Sequence, residues 1–347
     1  VIGELDACAG LSLYKVTTVV PALTSMTVFA RSCTNLLILE ETDQVIEAQV
    51  AGLTRTMGRR TGHVPSAGEL TYDRIRTILQ SILVDLGIPH RTFVPDESIE
   101  KAVEEMTVRA KGPKLCAGCA HRASFFAMRK AFPDALFPGD IGCYTLGISM
   151  GAVDTCLDMG AGVTLAAGLY DTYRQDGVTQ PIVASIGDST FFHACLAPLY
   201  DAVKKNKQFV LVIMDNSTTA MTGFQPTPQS GITADGQQSE AILIENVLAG
   251  LGVPFVAVTD PYDVPATIGS LKDAFNFLKE AGSGPAVVIT RRECLLRSKG
   301  TPGSLSPMKD LVDRCTGCGQ CRKIIDCPAL LFDEERKSIS IDERLCT

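Results

Sequence analysis

The sequence predicts an α/β protein whose largest part is a doubly wound parallel sheet, with a smaller α/β unit before it and a short cysteine-rich segment after it. Two apolar runs, 181–186 and 209–214, have the length and composition of buried strands. The segment 198–205 between them has its apolar residues at helical spacing. Since a helix that joins two buried strands is typical of parallel strands, we expect an open sheet whose strand ends meet at one edge.

Composition limits the classes of function. Hydrophobic residues make up 46% of the 347 residues, which is enough to build full cores. The net charge of −7 argues against a nucleic-acid surface, because phosphate binding needs clustered Lys and Arg. No secretory signal and no apolar stretch of membrane-spanning length are present, so we expect a cytoplasmic protein without a membrane partner. The chain opens on Val1 and closes on Thr347 in what look like the middle of a domain and of a motif, so we expect a fragment at both ends.

Residues 1–95 are predicted to form the smaller α/β unit. The run 35–40 is a strand candidate, 44–53 has helical spacing, and 70–86 is an amphipathic helix. Nothing in this unit indicates catalysis. The charged stretch 96–114 ends in Gly-Pro and is interpreted as a linker that contains at most a short helix.

Residues 115–300 are predicted to form the largest unit. The stretches 140–151 and 160–168 are dense in glycine, which suits either close approach of backbone to a cofactor or close packing of helices. Both interpretations stay open at this point. Two further helices and one strand complete the doubly wound pattern at 240–251, 264–279 and 286–290.

Polar residues follow the two central strands. Gly187, Asp188 and Ser189 come after the first strand, and Asn216 comes after the second. Because the carboxyl ends of parallel strands lie side by side, the Asp188 carboxylate and the Asn216 amide oxygen should face one crevice. With the main-chain carbonyl of Thr218 they would supply three oxygens to Mg²⁺, which takes its other ligands from phosphates and water. The alternative is that these are ordinary turn residues at two strand ends.

Three further residues near this crevice are candidates for function. Gly223 lies in the loop 218–228, rich in Gly and Pro, and is grouped with the cofactor-binding residues Gly187 and Ser189. His193 follows the Gly-Asp-Ser step and is the candidate catalytic residue, since a His beside a metal-diphosphate site can donate or shuttle a proton. His121 is open to the same interpretation. A hydrogen-bonded core histidine is the alternative for both.

The cysteines at the end of the chain indicate iron–sulfur chemistry. The chain has 13 cysteines and no secretory signal, so metal or redox use is favoured over disulfides. Cys315, Cys318 and Cys321 are spaced to hold a [4Fe–4S] cluster, with zinc as the alternative. Cys327, before a proline, and Cys346 would serve a second cluster. By this logic neither cluster is completed within the chain.

A second set of cysteines lies earlier in the chain. Cys116 and Cys119 form a Cys-x-x-Cys step, and Cys143 and Cys294 follow much later. Together they could hold a further [4Fe–4S] cluster near the predicted diphosphate site. The alternative is that they are apolar or structural residues.

Several stretches resemble a known family. These are LCAGCAHRASFF, GDIGCYTLG, GDSTFFHACL and MDNSTTAMTGFQP, followed by the cysteine run. In this order they resemble the large (alpha) subunits of the indolepyruvate ferredoxin oxidoreductases, which belong to the 2-oxoacid:ferredoxin oxidoreductases. The step GDS…DN also resembles the diphosphate motif of thiamine-diphosphate enzymes, although that motif usually reads GDG…NN.

The resemblance implies a domain order and a reaction. It implies a transketolase C-terminal-like domain at 1–95, a thiamine-diphosphate-binding domain at 115–300 and part of a two-cluster ferredoxin domain at 311–347. The implied reaction is oxidative decarboxylation of an aryl pyruvate with CoA, giving an aryl-acetyl-CoA, CO₂ and reduced ferredoxin. Thiamine diphosphate, Mg²⁺ and [4Fe–4S] clusters would be the cofactors, and a beta subunit would be a partner.

Carried over by motif, the metal ligands are the ones already named: Asp188, Asn216 and the Thr218 carbonyl. Gly187 and Ser189 would line the diphosphate. The glutamate that activates the thiamine would lie in a pyrimidine domain outside this sequence, so this chain alone is expected to be inactive. Three alternatives stay open: a relative that acts on pyruvate or 2-oxoglutarate, a non-redox thiamine-diphosphate decarboxylase, and an electron-transfer module.

Overall fold

A computed structural model describes residues 2–6, 11–94, 96–106, 112–280, 282–297, 312–333 and 335–346. The chain divides into two compact units, Val1–Ala110 and Lys111–Thr347. No helix among these residues is both long and apolar enough to cross a membrane. The predicted boundaries at 95, 114 and 300 stay predictions, and the predicted start of the cysteine-rich segment at 311 lies outside the described residues.

The first unit is built on a short parallel sheet. Its elements are α1 (Thr24–Ser32), β1 (Asn35–Leu37), α2 (Val45–Val50), β2 (Arg55–Met57), α3 (Tyr72–Asp85) and α4 (Glu97–Met106). β1 and β2 pair in parallel, with Asn35 opposite Arg55. β1 is shorter than the strand predicted at 35–40. Glu40, at the end of that run, has a buried carboxylate that accepts the N–H groups of Ile46 and Glu47, at 2.7 and 2.9 Å, where α2 begins.

The second unit is organised around a four-stranded parallel sheet. Its helices and strands before the C-terminal segment are α5 (Ala120–Ala131), α6 (Ala161–Asp176), β3 (Val183–Gly187), α7 (Asp188–Thr190), α8 (Leu196–Lys204), β4 (Val210–Asp215), α9 (Ile244–Gly250), β5 (Phe255–Thr259), α10 (Val264–Phe277) and β6 (Ala286–Arg291). The strand order is β3-β4-β6-β5, and every pair is parallel. β3 and β4 are buried along their whole length, as strands covered by helices on both faces must be. The doubly wound α/β prediction is confirmed.

The sheet continues on the outer side of β3 through an irregular extended segment. The N–H of Leu136 donates to the Pro181 carbonyl, and the N–H of Ser185 donates to the Pro138 carbonyl, each at 2.9 Å. This segment ends at Asp140. The carboxyl ends of the segment, of β3 and of β4 therefore lie along one edge of the sheet.

The helix predicted at 198–205 begins earlier than expected. Residues 188–204 form a continuous helical run that consists of α7, a π-helical turn at Phe191–Cys195, and α8. Gly187, Asp188 and Ser189, expected to form a turn, are instead the end of β3 and the first helical turn. The strand passes directly into the helix, because Gly187 is still extended and is followed at once by helical backbone.

The C-terminal segment contains α11 (Gln320–Ile324) and an antiparallel hairpin of β7 (Leu330–Asp333) and β8 (Ser338–Ile341). It contacts the start of α5. The guanidinium of Arg122 donates to the Ile325 carbonyl, and Lys114 forms an ion pair with Asp326 at 2.5 Å. Cys327 follows directly, so the segment is attached beside one of its own cysteines.

Candidate functional site

Asp188 lies at the carboxyl end of β3 and is fully buried. Its Oδ1 accepts the N–H of Ser189 at 2.8 Å and the hydroxyl of Tyr144 at 3.5 Å. Its Oδ2 is buried and has no hydrogen-bond partner in the described part of the chain. Burial, and then the charge of Asp215, raise the pKa of Asp188 to about 7. A buried carboxylate oxygen without a partner is costly, and a bound cation would satisfy it.

Asn216 follows β4 and is also buried. Its Oδ1 accepts the N–H of Thr218 at 3.3 Å, and its Nδ2 lies 3.1 Å from His121 Nε2. The Thr219 hydroxyl donates to the Ser189 hydroxyl at 2.9 Å, which joins the loop after β4 to the helix after β3. The structure therefore brings Asp188, Asn216 and Thr218 to one edge of the sheet. Their carboxylate, amide and carbonyl oxygens are the donor types that Mg²⁺ prefers.

Asp215 has a different role from Asp188 although both end buried strands. Its Oδ2 accepts from Arg291 Nε and Gln229 Nε2, each at 2.6 Å, and its Oδ1 accepts the N–H of Ser217 at 3.0 Å. The other edge of the Arg291 guanidinium binds Glu245 at 2.7 and 2.8 Å. Glu245 first, and Asp215 next, raise the pKa of Arg291, so its guanidinium stays charged. Both oxygens of Asp215 therefore already accept hydrogen bonds, and Oδ2 also forms the ion pair with Arg291.

Asp140 lies at the candidate site and was not singled out from the sequence. It is fully buried, and its Oδ2 accepts the N–H of Gly187 at 3.1 Å. Its Oδ1 accepts two other backbone N–H groups. This carboxylate fixes the end of β3, where the site begins. A signal was present, since Gly139 and Asp140 repeat the Gly-Asp step of Gly187 and Asp188.

Tyr144 explains why residue 187 is a glycine. A Cβ on Gly187 would lie 2.1 Å from the Tyr144 ring, so a larger residue cannot fit unless the ring moves. The Tyr144 hydroxyl also donates to the Met214 carbonyl at 3.3 Å. Burial, followed by the charge of Asp188, raises the pKa of Tyr144, which therefore stays protonated and able to donate. The ring thus packs between the ends of β3 and β4.

His121 lies in the first turn of α5 and is buried against this site. Its ring centroid is 5.0 Å from that of Tyr144. Burial lowers its pKa to about 4, and Asp215 opposes that shift more weakly. The ring is therefore neutral near pH 7, and one of its nitrogens can accept a hydrogen bond.

Two predicted site residues lie apart from this arrangement. His193 is exposed in the π-helical turn. Gly223 belongs to an exposed turn in which its N–H donates to the Ala220 carbonyl at 3.2 Å, and its φ of 119° requires glycine. In the ranges that the structure covers, neither makes a hydrogen bond to Asp188 or Asn216. Their catalytic and cofactor-binding roles stay predictions.

The earlier cysteine set is gathered beside Asn216. The N–H of Cys294 donates to the Asn216 carbonyl at 3.1 Å. Burial raises the pKa of the Cys143 thiol to about 11, and the nearby thiols of Cys116 and Cys294 add to that shift. The pKa of Cys119 is also raised to about 11, by burial first and then by Cys116 and Cys143. Residues far apart in the sequence thus influence one another here, and Cys294 lies next to Asn216.

The C-terminal cysteines lie around α11 and the hairpin. The thiol of Cys315 accepts the N–H groups of Gly317 and Ile339, each at 3.4 Å. The pKa of the exposed Cys318 is lowered, chiefly by the N–H of Gln320. Among residues with described positions, no three His, Cys, Asp or Glu side chains are close enough to share one metal ion. The cluster ligands in both cysteine sets stay predictions; the C-terminal set is Cys315, Cys318, Cys321, Cys327 and Cys346.

Known proteins resemble the chain at two levels. Residues 140–290 match the family "Thiamine pyrophosphate enzyme, C-terminal TPP binding domain". The chain is 38% identical over 331 residues to the indolepyruvate oxidoreductase subunit IorA of Archaeoglobus fulgidus, covering 92% of this chain and 50% of that protein. It is 37% identical over 334 residues to the subunit of the same name from Thermococcus kodakarensis, covering 90% of this chain and 50% of that protein.

A solved structure of a 2-oxoglutarate:ferredoxin oxidoreductase from Magnetococcus marinus gives a TM-score of 0.45 at 20% identity, covering 56% of this chain and 69% of that one. The chain spans about half the length of the curated relatives it matches. Over nearly its whole length the chain is similar to about half of the indolepyruvate oxidoreductase IorA subunits, and its residues 140–290 match the TPP-binding domain of the thiamine pyrophosphate enzymes.

Proposed function

We propose that the chain is the diphosphate-binding part of an enzyme that oxidatively decarboxylates aryl pyruvates, indolepyruvate among them. The products would be an aryl-acetyl-CoA, CO₂ and reduced ferredoxin. The observation that carries the proposal is the buried Oδ2 of Asp188, which has no partner among the described residues and lies at the strand edge that Asn216 also reaches. A cation bound to a diphosphate would satisfy that oxygen.

In this proposal each group at the sheet edge has a separate task. Asp188, Asn216 and the Thr218 carbonyl hold Mg²⁺, while Gly187 and Ser189 line the diphosphate. Asp140 holds the end of β3 in place through the Gly187 N–H. Thiamine diphosphate, when bound, supplies the electron sink for decarboxylation. The group that activates the thiamine ring, and the binding of CoA, are assigned to other parts of the full-length protein or to a beta subunit.

The cysteines supply the route for electrons in this proposal. Cys116, Cys119, Cys143 and Cys294 hold a [4Fe–4S] cluster close to the thiamine site. Their mutual effect on thiol pKa values and the contact of Cys294 with Asn216 support that assignment. Cys315, Cys318 and Cys321 bind a second cluster, and Cys327 and Cys346 contribute to a third. The N–H groups that face the Cys315 sulfur are a common feature of thiolates that ligate iron.

Binding of the cofactor tests the proposal most directly. Calorimetry on the full-length chain should show that thiamine diphosphate binds in the presence of Mg²⁺ and that Asp188→Ala abolishes measurable binding. Asp201→Ala is a matched control, because Asp201 is exposed on α8 and pairs only with Lys205 on the surface. Binding that survives Asp188→Ala would sink the assignment. An absence of binding in the unmodified protein would favour a pure electron-transfer module.

The preference for one substrate over another has to be measured on the assembled enzyme. The full-length chain with its partner subunit should reduce a viologen dye faster with indolepyruvate or phenylpyruvate than with pyruvate or 2-oxoglutarate. A clear preference for pyruvate would defeat the aryl assignment and leave the oxidoreductase class standing. Decarboxylation without dye reduction would instead indicate a non-redox decarboxylase.

Metal analysis tests the first cluster. Cys294→Ser in the full-length chain, purified without oxygen, should lower the iron and sulfide content by about one [4Fe–4S] cluster. Cys33→Ser is the control, since Cys33 belongs to the first unit. Unchanged iron content in Cys294→Ser would remove Cys294 from the ligand set.

A further inference from the structure

The side-chain amide of Asn216 can serve a cation in only one orientation. Its oxygen is a ligand, whereas its NH₂ group would repel a positive charge. The two ends of an amide have nearly the same shape, so packing alone does not choose between them. Some group near Asn216 must therefore hold the oxygen toward the cation.

The hydrogen bonds around Asn216 define which end faces which neighbour. The N–H of Thr218, which can only donate, lies 3.3 Å from Oδ1. The other end, Nδ2, lies 3.1 Å from His121 Nε2. Since Nδ2 is a donor, Nε2 must be the acceptor, and the ring proton belongs on Nδ1. An amide turned the other way would place its NH₂ against the Thr218 N–H, and its oxygen would then need the ring proton on Nε2.

With its ring proton on Nδ1, His121 is well placed to hold the amide in this orientation by accepting from Nδ2. It is 4% exposed and is held in the first turn of α5, with its ring against Tyr144. The hydrogen bond from the Thr218 N–H holds the amide less firmly by itself, because it is long, at 3.3 Å. Thr218 also lies in a loop that turns at Ser217, whose φ is 60°. His121 comes from a different element, so it fixes the amide against the body of the unit.

We infer that His121 is a positioning residue that holds the amide oxygen of Asn216 toward the cation of the diphosphate site, so that affinity for the cation depends on a hydrogen-bond acceptor at this position. The inference rests on the proposed function, because it requires that Asn216 is a ligand. The contact that His121 makes is with the NH₂ end of Asn216 and not with a proposed ligand oxygen. Its effect is therefore on metal affinity through Asn216.

Three variants of the full-length protein test the inference with Mn²⁺ as the probe. Binding is followed by the loss of the free Mn²⁺ electron paramagnetic resonance signal at saturating thiamine diphosphate. His121→Leu should weaken Mn²⁺ binding about tenfold, the size expected when one buried hydrogen-bond partner is lost. His121→Gln, whose side-chain oxygen can reach the position of Nε2, should stay within about threefold of the unmodified protein. His121→Asn, which is polar but too short, should behave as Leu does.

The most direct test compares the effect of His121→Leu in the natural sequence with its effect in the variant Asn216→Asp. A carboxylate presents an oxygen at either end, so its orientation no longer matters. His121→Leu should therefore cost much less in Asn216→Asp than in the natural sequence, and this difference is a coupling that a general loss of packing would not produce. Circular dichroism and thermal unfolding show which variants are folded. If His121→Leu does not fold, His121→Gln and His121→Asn still make the comparison.

The outcomes distinguish a failure of the positioning role of His121 from a failure of the proposed function. Equal losses in His121→Gln and His121→Asn, or an equal cost of His121→Leu in both backgrounds, would overturn the positioning role and leave the metal site standing. Failure of the unmodified protein to bind Mn²⁺ with thiamine diphosphate would overturn the proposed function itself.

Discussion

Two Gly-Asp steps lie at neighbouring strand ends, and their carboxylates have different partners. The carboxylate of Asp140 accepts hydrogen bonds from three backbone N–H groups, one of which belongs to Gly187. Asp188 keeps one buried oxygen without a partner among the residues described. The same dipeptide therefore holds the backbone in one place and supplies a candidate ligand in the other, because of the two carboxylates only that of Asp188 has an oxygen that accepts no hydrogen bond among the described residues.

Asp188 should make the stability of the cation-free protein depend on pH. Its pKa is raised from 3.8 to about 7, so between these values the folded protein holds a proton that the unfolded chain has lost. The stability that this group contributes is therefore present at low pH, falls as pH rises from about 4 to about 7, and then stays constant. Asp188→Asn should remove this dependence and be more stable than the unmodified chain at pH 8, by about 2–4 kcal/mol.

Urea unfolding of both proteins between pH 4 and pH 8, without divalent cations, measures this difference. His121 acts in the opposite direction, since its pKa is lowered to about 4 and its contribution grows as pH rises to about 6.5. That contribution is common to both proteins and cancels in the comparison. Parallel stability curves for Asp188→Asn and the unmodified chain would contradict the raised pKa.

At the scale of elements, the transition from β3 into the helix requires a residue without a side chain. Gly187→Ala would place a Cβ 2.1 Å from the Tyr144 ring, in the middle of the site. We expect it to cost about 1–3 kcal/mol in the free energy of unfolding, as overpacking typically does, and to weaken binding of thiamine diphosphate. Denaturant unfolding and calorimetry measure the two effects.

Gly168→Ala is the matched control for this change. Gly168 lies within α6, and no atom would lie within 4 Å of an added Cβ. There the same substitution should stabilise the protein by about 0.5–1 kcal/mol, because alanine is the better helix former. Equal effects of the two substitutions would show that the Tyr144 contact does not matter.

The first turn of α5 joins three parts of the second unit. His121 contacts Asn216 at the end of β4, while the guanidinium of Arg122 donates to the Leu115, Cys116 and Ile325 carbonyls. Arg122 is 5% exposed. It therefore ties the Cys-x-x-Cys loop to the C-terminal segment just before Cys327.

Arg122→Ala should loosen that attachment. Loss of a buried, charged donor to several carbonyls is expected to cost about 3 kcal/mol or more. Hydrogen exchange should show faster exchange in 320–333 than in β4 of the same variant. Arg129→Ala on the same helix is the control, since the carbonyl to which Arg129 donates among the described residues, that of Pro133, is close to it in the sequence. Unchanged exchange in 320–333 would mean that Arg122 is not what holds the segment.

At the scale of the whole chain, each of the two units has its own buried clusters. A ligand that binds one unit stabilises that unit by mass action, by about 2.7 kcal/mol at a concentration of one hundred times Kd. Calorimetric unfolding of the chain should therefore show a transition that thiamine diphosphate with Mg²⁺ moves to higher temperature and another that it leaves in place. A single transition that shifts as a whole would show that the units unfold cooperatively.

Elements with a strong apolar pattern were predictable. β3, β4 and β6 are continuous apolar runs, and α3 and α10 have clear helical spacing, so these five were found within a few residues of their ends. α6 was not, because its buried face is made of Ala161, Gly162, Val163 and Ala166, small residues whose spacing resembles a glycine-rich loop. Glycine at 162 packs against the Gly139 and Ser185 carbonyls, which favours the helix-packing interpretation of that stretch over cofactor approach.

The sequence alone determined the class of fold, the parallel order of β3 and β4, and therefore that Asp188 and Asn216 share an edge, because these follow from local periodicity and from the handedness of strand–helix–strand connections. It could not decide which carboxylate is free to bind a cation. That depends on which oxygens already accept hydrogen bonds from Gly187, Arg291 or Gln229, residues that only the folded chain brings near. The tertiary structure also decided that Tyr144 requires glycine at 187 and that His121 orients Asn216, since contacts between distant segments leave no periodic signal in the sequence.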